Sequence, residues 1–283
     1  MQTVSPHKKA GLIIKDLTIQ NPSEIIVRDI AMTRGAYVRE KILEGIEARL
    51  VRKGKLGIIT VNQKIPEVGR KRFAIAHELG HFELHSSSQL KICSEKDMFV
   101  WNENKSQELE ANDFAGNLLM PEFIFADHVN EAFPQMNTIK SLADEFRTTL
   151  TATTLRYIQI SSEPCAVAFS KDGIIQWYKK SKSFNYHVKA GEKLSPDSYA
   201  FDFFQGDNLP NGLNEVPVNA WIAGNFSEDD EIMEHSVELH QYNTVISLLW
   251  INQEIKSYYS KIEDEPEFDL TNPFTPDGKR WQW

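Results

Sequence analysis

The chain has 283 residues, of which 41% are hydrophobic, with a formal net charge of -9 and two cysteines. This length accommodates two domains, and because the sequence shows neither a run of about 18 apolar residues nor the apolar core of a secretory signal, we expect a cytoplasmic protein without a membrane span. The acidic balance argues against direct nucleic-acid binding, since phosphate contacts need clustered Lys and Arg, and two cysteines in unlike contexts do not indicate a disulfide framework.

The N-terminal part of the sequence predicts a helix followed by a β-hairpin. The helix pattern runs from about residue 21 to residue 33 and is closed by Gly35. Two strand-like runs follow at residues 48–52 and 57–62, joined by a short polar stretch at residues 53–55. Because that stretch contains a central glycine, it predicts a tight hairpin turn.

The pentapeptide His77-Glu78-Leu79-Gly80-His81 has the spacing of a metal-binding helix. Residues four apart lie on one face of a helix, so the imidazoles of His77 and His81 can hold one metal ion while Glu78 reaches the attacking water. This spacing also arises by chance, but the apolar residues in 72–76 extend a helix pattern into the motif. The motif therefore predicts two zinc ligands and the catalytic base of a zinc peptidase, with Zn²⁺ as cofactor and Glu78 as the base.

A catalytic zinc ion takes three protein ligands and keeps one open position, so a third ligand is needed. His85 lies on the same helix face as His81, but three ligands along one straight helix span about 12 Å of its axis, too far for one ion. We therefore expect His85 to be a helix-end residue. A longer motif with a histidine six residues after His81 is excluded by Ser87. A carboxylate remains as the third ligand.

A second helix, predicted from residue 106 and ended by Pro121, offers such carboxylates. Glu108 and Asn112 are one turn apart on the same face, so the carboxylate can bind the metal while the amide orients a ligand histidine. Glu110 lies about 200° around the helix from Glu108. We favour Glu108 over Glu110 as the third ligand.

The predicted strand at residues 57–62 also has a candidate role in substrate binding. In many zinc peptidases the strand ahead of the metal helix forms the lip of the cleft, where a substrate adds as a further strand through backbone hydrogen bonds. Residues 57–62 precede the metal helix directly. A docking edge and a plain core strand both fit the pattern, because pairing uses the backbone and leaves the side chains free to pack.

The segments around these residues resemble a known family. Residues 70–82, which contain the metal motif, and residues 108–121 of the second helix are similar to the ImmA/IrrE family of bacterial zinc metallopeptidases. The resemblance is specific over about residues 20–125 and looser beyond. It implies that the third zinc ligand is the glutamate three residues before the Ala-Asn pair, which is Glu108 in this sequence.

The resemblance also implies a function. Members of this family cleave helix-turn-helix repressors and thereby release genes for the DNA-damage response or for mobile-element transfer, and others resemble toxin partners of such DNA-binding proteins. We therefore expect a zinc-dependent endopeptidase of the bacterial cytoplasm whose substrate is a helix-turn-helix transcriptional repressor, so that cleavage derepresses stress-response or mobile-element genes. The sequence indicates neither the inducing signal nor an oligomeric state.

The alternative function is a toxin or regulatory module that acts by binding a partner without proteolysis. Glu78 argues against it, because a structural zinc site gains nothing from a base beside an open coordination position. A peptidase also needs a second group that stabilises the oxyanion, and the candidates in this sequence are His128 and Tyr157.

Residues 126–162 form a helical segment that resembles a helix-turn-helix. Two helix patterns, at residues 139–146 and 151–157, flank a polar break at residues 147–149. The segment's charge is close to neutral, because its basic and acidic side chains nearly balance. We therefore favour structural packing or docking to a protein over DNA binding here, and direct control of transcription, which would rest on this segment alone, is the third function considered.

From about residue 163 the pattern changes from helix to strand. Residues 165–170 and 174–178 predict a hairpin around the turn at residues 171–173. Residues 220–226 and 242–251 predict further strands.

The overall prediction is an α+β chain of three parts. A zincin-like metallopeptidase domain occupies residues 1–125, the helix-turn-helix-like segment residues 126–162, and a smaller β-rich α+β domain residues 163–283. Similarity to the family suggests a GAF-like sensory fold for the last part. We expect its tryptophans to lie in the core, namely Trp177, Trp221 and Trp250.

Overall fold

The computed structural model describes residues 5–85, 90–94, 106–129, 133–227, 229–239 and 243–252. These residues fall into two compact units. The first consists of residues up to Phe125 together with Ala143–Thr149, and the second of Ala126–Leu142 and the residues from Leu150 onward. Each unit combines helices with a β-sheet, which confirms the predicted α+β fold class.

The first unit contains a four-stranded sheet. Its strands are β1 (Ala36–Lys41), β2 (Ile46–Lys53), β3 (Leu56–Asn62) and β4 (Leu90–Ser94), in the order β1-β3-β2-β4. The predicted hairpin is confirmed, because β2 and β3 pair antiparallel up to Lys53 and Leu56, and Gly54 adopts φ +60° in the turn between them. β1 pairs parallel with β3, and β4 pairs antiparallel with β2.

β3 lies inside this sheet, so the predicted docking of a substrate on residues 57–62 is wrong. The backbone of β3 pairs with β1 along one side and with β2 along the other, which uses both of its edges. Among the strands that the structure describes in this sheet, the edges belong to β1 and β4. The reason is non-local: β1 precedes the hairpin in sequence but inserts beside its second strand, and hydrophobic patterns do not encode strand order.

The predicted helix at residues 21–33 is divided into two pieces. Asn21 and Glu24 form a capping box around a short 3-10 turn at Pro22–Glu24, and α2 starts only at Val27 and ends at Thr33. The intervening backbone is not helical. Gly35 ends the segment as predicted, with φ +88°, and a Cβ at this position would lie 2.8 Å from the carbonyl oxygen of Lys55. Only glycine meets both conditions without strain.

Among the described residues, four other helices begin in the first unit, and two of them form its centre. They are α1 (Pro6–Asp16), α3 (Val68–Leu84), α4 (Ser106–Leu119) and α5 (Glu122–Val129). α3 is buried along most of its length because it packs against both the sheet and α4. At Gly80 the two helices approach so closely that a Cβ would lie 3.1 Å from the Cα atom of Ala111 and 3.1 Å from the ring of Phe114. This close packing brings the side chains of α3 and α4 into contact.

The second unit contains a five-stranded antiparallel sheet. Its strands are β5 (Cys165–Lys171), β6 (Ile174–Lys180), β7 (Asn214–Pro217), β8 (Glu231–Leu239) and β9 (Thr244–Trp250), in the order β6-β5-β9-β8-β7. The predicted hairpin of β5 and β6 is confirmed, with Asp172 at φ +51° and Gly173 at φ +76° in the turn. β9 confirms the strand predicted at residues 242–251, of which residue 242 lies outside the described residues.

The strand predicted at residues 220–226 is wrong. A 3-10 turn occupies Val218–Ala220, and the chain then forms irregular structure in which only Ile222 makes an isolated bridge, to Val188. Trp221 explains the apolar pattern, because its side chain is fully buried in the core and its indole N–H donates to Glu234. Trp221 thus confirms the expected core position, whereas Trp177 and Trp250 are half-buried.

Further helices follow α5 along the chain. The predicted helix pair on either side of residues 147–149 is confirmed as α6 (Met136–Phe146) and α7 (Leu150–Ile160), and Arg147 adopts φ +53° after α6. α8 (Tyr199–Gln205) begins at Ser198, whose side chain accepts a hydrogen bond from the backbone N–H of Phe201. In the part of the chain that the structure describes, no helix has the length and apolar character needed to cross a bilayer.

Candidate metal centre

The metal motif lies on α3 as predicted. His77, Glu78 and His81 are all buried, with at most 1% of each residue exposed. Glu108 lies in the first turn of α4, and 18% of its side chain is exposed. Because Gly80 lets α4 approach α3 closely, the carboxylate of one helix reaches the imidazoles of the other.

Three potential ligand atoms converge at this point. The Oε2 atom of Glu108 lies 3.1 Å from Nε2 of His77 and 3.1 Å from Nε2 of His81, and the two Nε2 atoms are themselves 3.1 Å apart. The group meets the geometric requirement for holding a metal ion, since its ligand atoms all lie within 4.8 Å of one another. Two imidazoles and one carboxylate are a ligand set found in catalytic zinc sites.

Asn112 holds the ring of His77 in the orientation that this arrangement needs. Its Oδ1 atom lies 2.8 Å from Nδ1 of His77. An amide oxygen only accepts hydrogen bonds, so Nδ1 of His77 carries a proton, and in the neutral ring Nε2 keeps the lone pair that can bind metal. Asn112 therefore makes the contact with His77 that its position one turn after Glu108 predicted, and its role in orienting a metal ligand stays a prediction.

Glu108 is ionised at neutral pH. Burial raises the pKa of its carboxyl group, but the hydrogen bonds and charges of the His77 and His81 imidazoles lower it by more, so that the pKa lies well below its usual range. An ionised carboxylate beside two imidazole nitrogens is the state in which a divalent cation is bound.

Glu110 lies apart from this group and makes a different contact. Its Oε2 atom is 2.8 Å from Nε2 of His85, and Nδ1 of His85 is 3.0 Å from Nδ1 of His81. His85 is the residue at which α3 ends, as expected. The sequence patterns do not predict the contact between His85 and Glu110. The one signal for it is the spacing of His81 and His85, which places both imidazoles on one helix face.

The two candidates for oxyanion stabilisation are found in the second unit. His128 lies in the last turn of α5, and Tyr157 lies on α7 with its side chain fully buried. Burial raises the pKa of the Tyr157 hydroxyl group, which keeps it protonated and able to donate a hydrogen bond. A role for either residue in stabilising an oxyanion stays a prediction.

Comparison with known proteins identifies the domain around the metal centre. Residues 31–157 match the model of the Peptidase_M78 family, which is described as an IrrE N-terminal-like domain. This part of the chain is an IrrE N-terminal-like domain. The domain includes both α3 and α4, so it contains His77, Glu78, His81 and Glu108.

The proteins that are similar to this chain include a phage protein and a bacterial protein of known structure. An uncharacterized immunity region protein 2 of Bacillus phage phi105 is 32% identical over 75 residues, which cover 26% of this chain and 45% of the phage protein. The match thus spans less than half of that relative. A Mycobacterium tuberculosis transcriptional regulator of known structure covers 87% of this chain and 76% of its own with a TM-score of 0.53. At 14% identity, the second likeness concerns the fold alone.

Proposed function

We propose that the protein is a zinc-dependent endopeptidase. The observation that carries this proposal is the convergence of His77, His81 and Glu108 around one point, with Glu78 on the same helix, inside a Peptidase_M78 domain. Two nitrogen ligands and one carboxylate suit zinc and leave a fourth position for water or substrate. The buried Nδ1 contact of His77 with Asn112 supports the fit, because it directs the metal-binding nitrogen toward Glu108.

Glu78 is the base in the proposed reaction. Zinc, when bound, supplies a Lewis acid that polarises the scissile carbonyl and makes water more acidic. The carboxylate of Glu78 accepts a proton from the water that attacks the peptide carbonyl and then donates that proton to the leaving amine. Glu78 is fully buried, so this transfer takes place away from bulk solvent.

For the substrate we propose a helix-turn-helix transcriptional repressor in the bacterial cytoplasm. Its cleavage would derepress stress-response or mobile-element genes. The family resemblance supports this assignment, and the name of the phage relative, which refers to an immunity region, is compatible with a role in gene regulation. The near-neutral charge of α6 and α7 supports contact with a protein and not with DNA.

The experiment compares Glu78→Gln with wild type. Glutamine is nearly isosteric but cannot accept the proton, so zinc and the repressor should still bind while cleavage slows by about 100-fold or more. Repressor fragments are quantified by mass spectrometry after incubation with the product of an adjacent repressor gene. Glu122→Gln, the same change at an exposed position in the first turn of α5, serves as control and should cleave like wild type.

A second variant separates proteolysis from simple binding. His77→Ala removes a ligand and should abolish both zinc binding and activity in cells. If Glu78→Gln kept full biological activity while His77→Ala lost it, the metal would matter without hydrolysis. The protein would then be a binding module, and the proposed peptidase activity would be wrong.

A further inference from the structure

The second ligand histidine is linked to a carboxylate through another histidine. Nδ1 of His81 lies 3.0 Å from Nδ1 of His85, and Nε2 of His85 lies 2.8 Å from Oε2 of Glu110. His81 and His85 are both buried. These contacts form a continuous chain from the candidate metal centre to the half-exposed side chain of Glu110.

The carboxylate of Glu110, at the end of this chain, fixes which atom donates in each hydrogen bond. A carboxylate only accepts hydrogen bonds, so Nε2 of His85 donates its proton to Glu110. In a neutral imidazole the other nitrogen then accepts, so Nδ1 of His85 accepts a proton from Nδ1 of His81. His81 is left with its lone pair on Nε2, the atom that lies 3.1 Å from Glu108.

We propose that His85 and Glu110 are positioning residues that orient His81 for metal binding. This proposal rests on the zinc site of the proposed function. His85, backed by Glu110, contacts Nδ1 of His81 in the same way that Asn112 contacts Nδ1 of His77. Neither His85 nor Glu110 supplies one of the three converging ligand atoms. Each acts on the metal site through the ring of His81.

The two residues should contribute unequally. Loss of a supporting hydrogen bond behind a ligand histidine lowers metal affinity by about 10- to 100-fold. His85→Phe keeps the ring volume but removes both nitrogens, so we expect zinc affinity to fall within that range. For Glu110→Ala we expect a loss near the lower end, because 46% of the Glu110 side chain is exposed and water can replace its carboxylate.

The test measures zinc dissociation constants of the full chain by competition with a chromophoric chelator. Wild type is compared with His85→Phe, Glu110→Ala, the double variant and the conservative variant Glu110→Gln, which keeps an acceptor oxygen. Glu122→Ala, at an exposed position of α5, is the matched control and should bind zinc like wild type. Because both residues act through one chain of hydrogen bonds, the double variant should lose little more affinity than His85→Phe alone.

Cobalt(II) substitution adds a readout that a purely structural role would not change. The visible absorption of bound Co²⁺ reports ligand orientation, so it should shift in His85→Phe and return toward wild type in Glu110→Gln relative to Glu110→Ala. Thermal unfolding of the metal-free proteins checks folding, and Glu110→Ala carries the test if His85→Phe does not fold. The proposal is overturned if wild type binds zinc tightly and the folded variants bind it equally well, whereas a wild type without zinc binding overturns the proposed function itself.

Discussion

Glu108 in the first unit and Glu234 in the second are both acidic side chains that make several hydrogen bonds inside the protein. Glu234 lies on β8 and is fully buried. Its two oxygens accept four hydrogen bonds, from the backbone N–H groups of Tyr199 and Ala200, the indole N–H of Trp221 and the hydroxyl of Ser236. The partners of Glu108 are imidazole nitrogens of His77 and His81.

The difference between these partners separates a structural carboxylate from a ligand. The amide and indole groups around Glu234 carry fixed protons, so the chain itself satisfies the carboxylate. At Glu108 the partners are imidazole nitrogens that can each offer a lone pair to a metal ion, and the contact of Asn112 with Nδ1 of His77 leaves Nε2 for that purpose. Burial alone therefore does not show that an acidic side chain has a functional role. The chemistry of its hydrogen-bond partners is what distinguishes Glu108 from Glu234.

The largest expected effect concerns zinc content. Glu108→Ala removes one of three ligands, and we expect the purified protein to contain almost no zinc, against about one ion per chain for wild type. Glu110→Ala should retain its zinc when the metal is in excess, since Glu110 contacts His85 and not the metal position. Metal content is measured by atomic emission after gel filtration. Equal zinc content in the two variants would contradict the assignment of Glu108.

Removing Glu234 should cost stability and leave the metal centre intact. Glu234→Ala removes the acceptor of four hydrogen bonds, so the free energy of unfolding should fall by about 3–5 kcal/mol. Glu231→Ala, at an exposed position on the same strand, should change it by less than about 0.5 kcal/mol. Urea unfolding followed by tryptophan fluorescence measures both, and zinc content is measured in parallel. Loss of zinc in folded Glu234→Ala would contradict the contrast with Glu108.

Local patterns predicted the elements that hold the candidate site. The spacing of His77 and His81 depends only on the helix period, and so does the common face of Glu108 and Asn112. The structure accordingly brings these four side chains together. Local patterns do not predict the link from His85 to Glu110, because it depends on how two helices cross. The position of Glu110 on its own helix does not show which residue of the other helix it contacts.

The errors in the fold have the same physical origin. The strand predicted at residues 220–226 was inferred from apolar residues that are buried in a turn, where Trp221 is held by Glu234 across the core. β8 was not predicted, because its buried positions include Glu234 and His235, residue types that ordinarily face solvent. Partners distant in sequence satisfy these polar groups, so no local pattern shows that they are buried.

The pH dependence of the second unit should depend on His235. Its Nδ1 atom accepts a hydrogen bond from the backbone N–H of Met136, and the side chain is buried. Burial, together with the charge of Lys140, lowers the pKa of His235 from 6.5 to about 4. The folded state therefore prefers the neutral ring, whose stabilising contribution is complete above pH 6.5 and is lost as the pH falls toward 4.

His235→Gln isolates this contribution, because glutamine can accept the same hydrogen bond and does not titrate. Relative to the variant, the free energy of unfolding of wild type should fall by at most about 3 kcal/mol between pH 7 and pH 4. Urea unfolding at a series of pH values gives the difference. A difference that stays constant with pH would contradict a lowered pKa of His235 in the folded protein.

The smallest expected change in stability comes from Gly80→Ala, which tests how closely α3 and α4 must approach each other at the candidate site. A Cβ at Gly80 would lie 3.1 Å from the Cα of Ala111, 3.1 Å from the ring of Phe114 and 3.2 Å from the carbonyl oxygen of Ala111. Contacts of this length are tighter than most Cβ contacts in proteins, and two of them involve backbone, so Gly80→Ala should shift α4 away from α3 by a few tenths of an ångström. The packing cost of about 1–3 kcal/mol is partly offset by the helix propensity of alanine, about 1 kcal/mol.

The matched control for Gly80→Ala is Gly116→Ala on α4, where a Cβ would meet no atom within 4 Å. That variant should gain about 0.5–1 kcal/mol of stability and bind zinc like wild type. Gly80→Ala should bind zinc more weakly, because two ligands lie on α3 and the third on α4, so any separation of the helices separates the ligand atoms. Stability is measured by urea unfolding and zinc affinity by chelator competition. If Gly80→Ala lost stability but bound zinc as tightly as Gly116→Ala, the spacing of the helices would not control the metal centre.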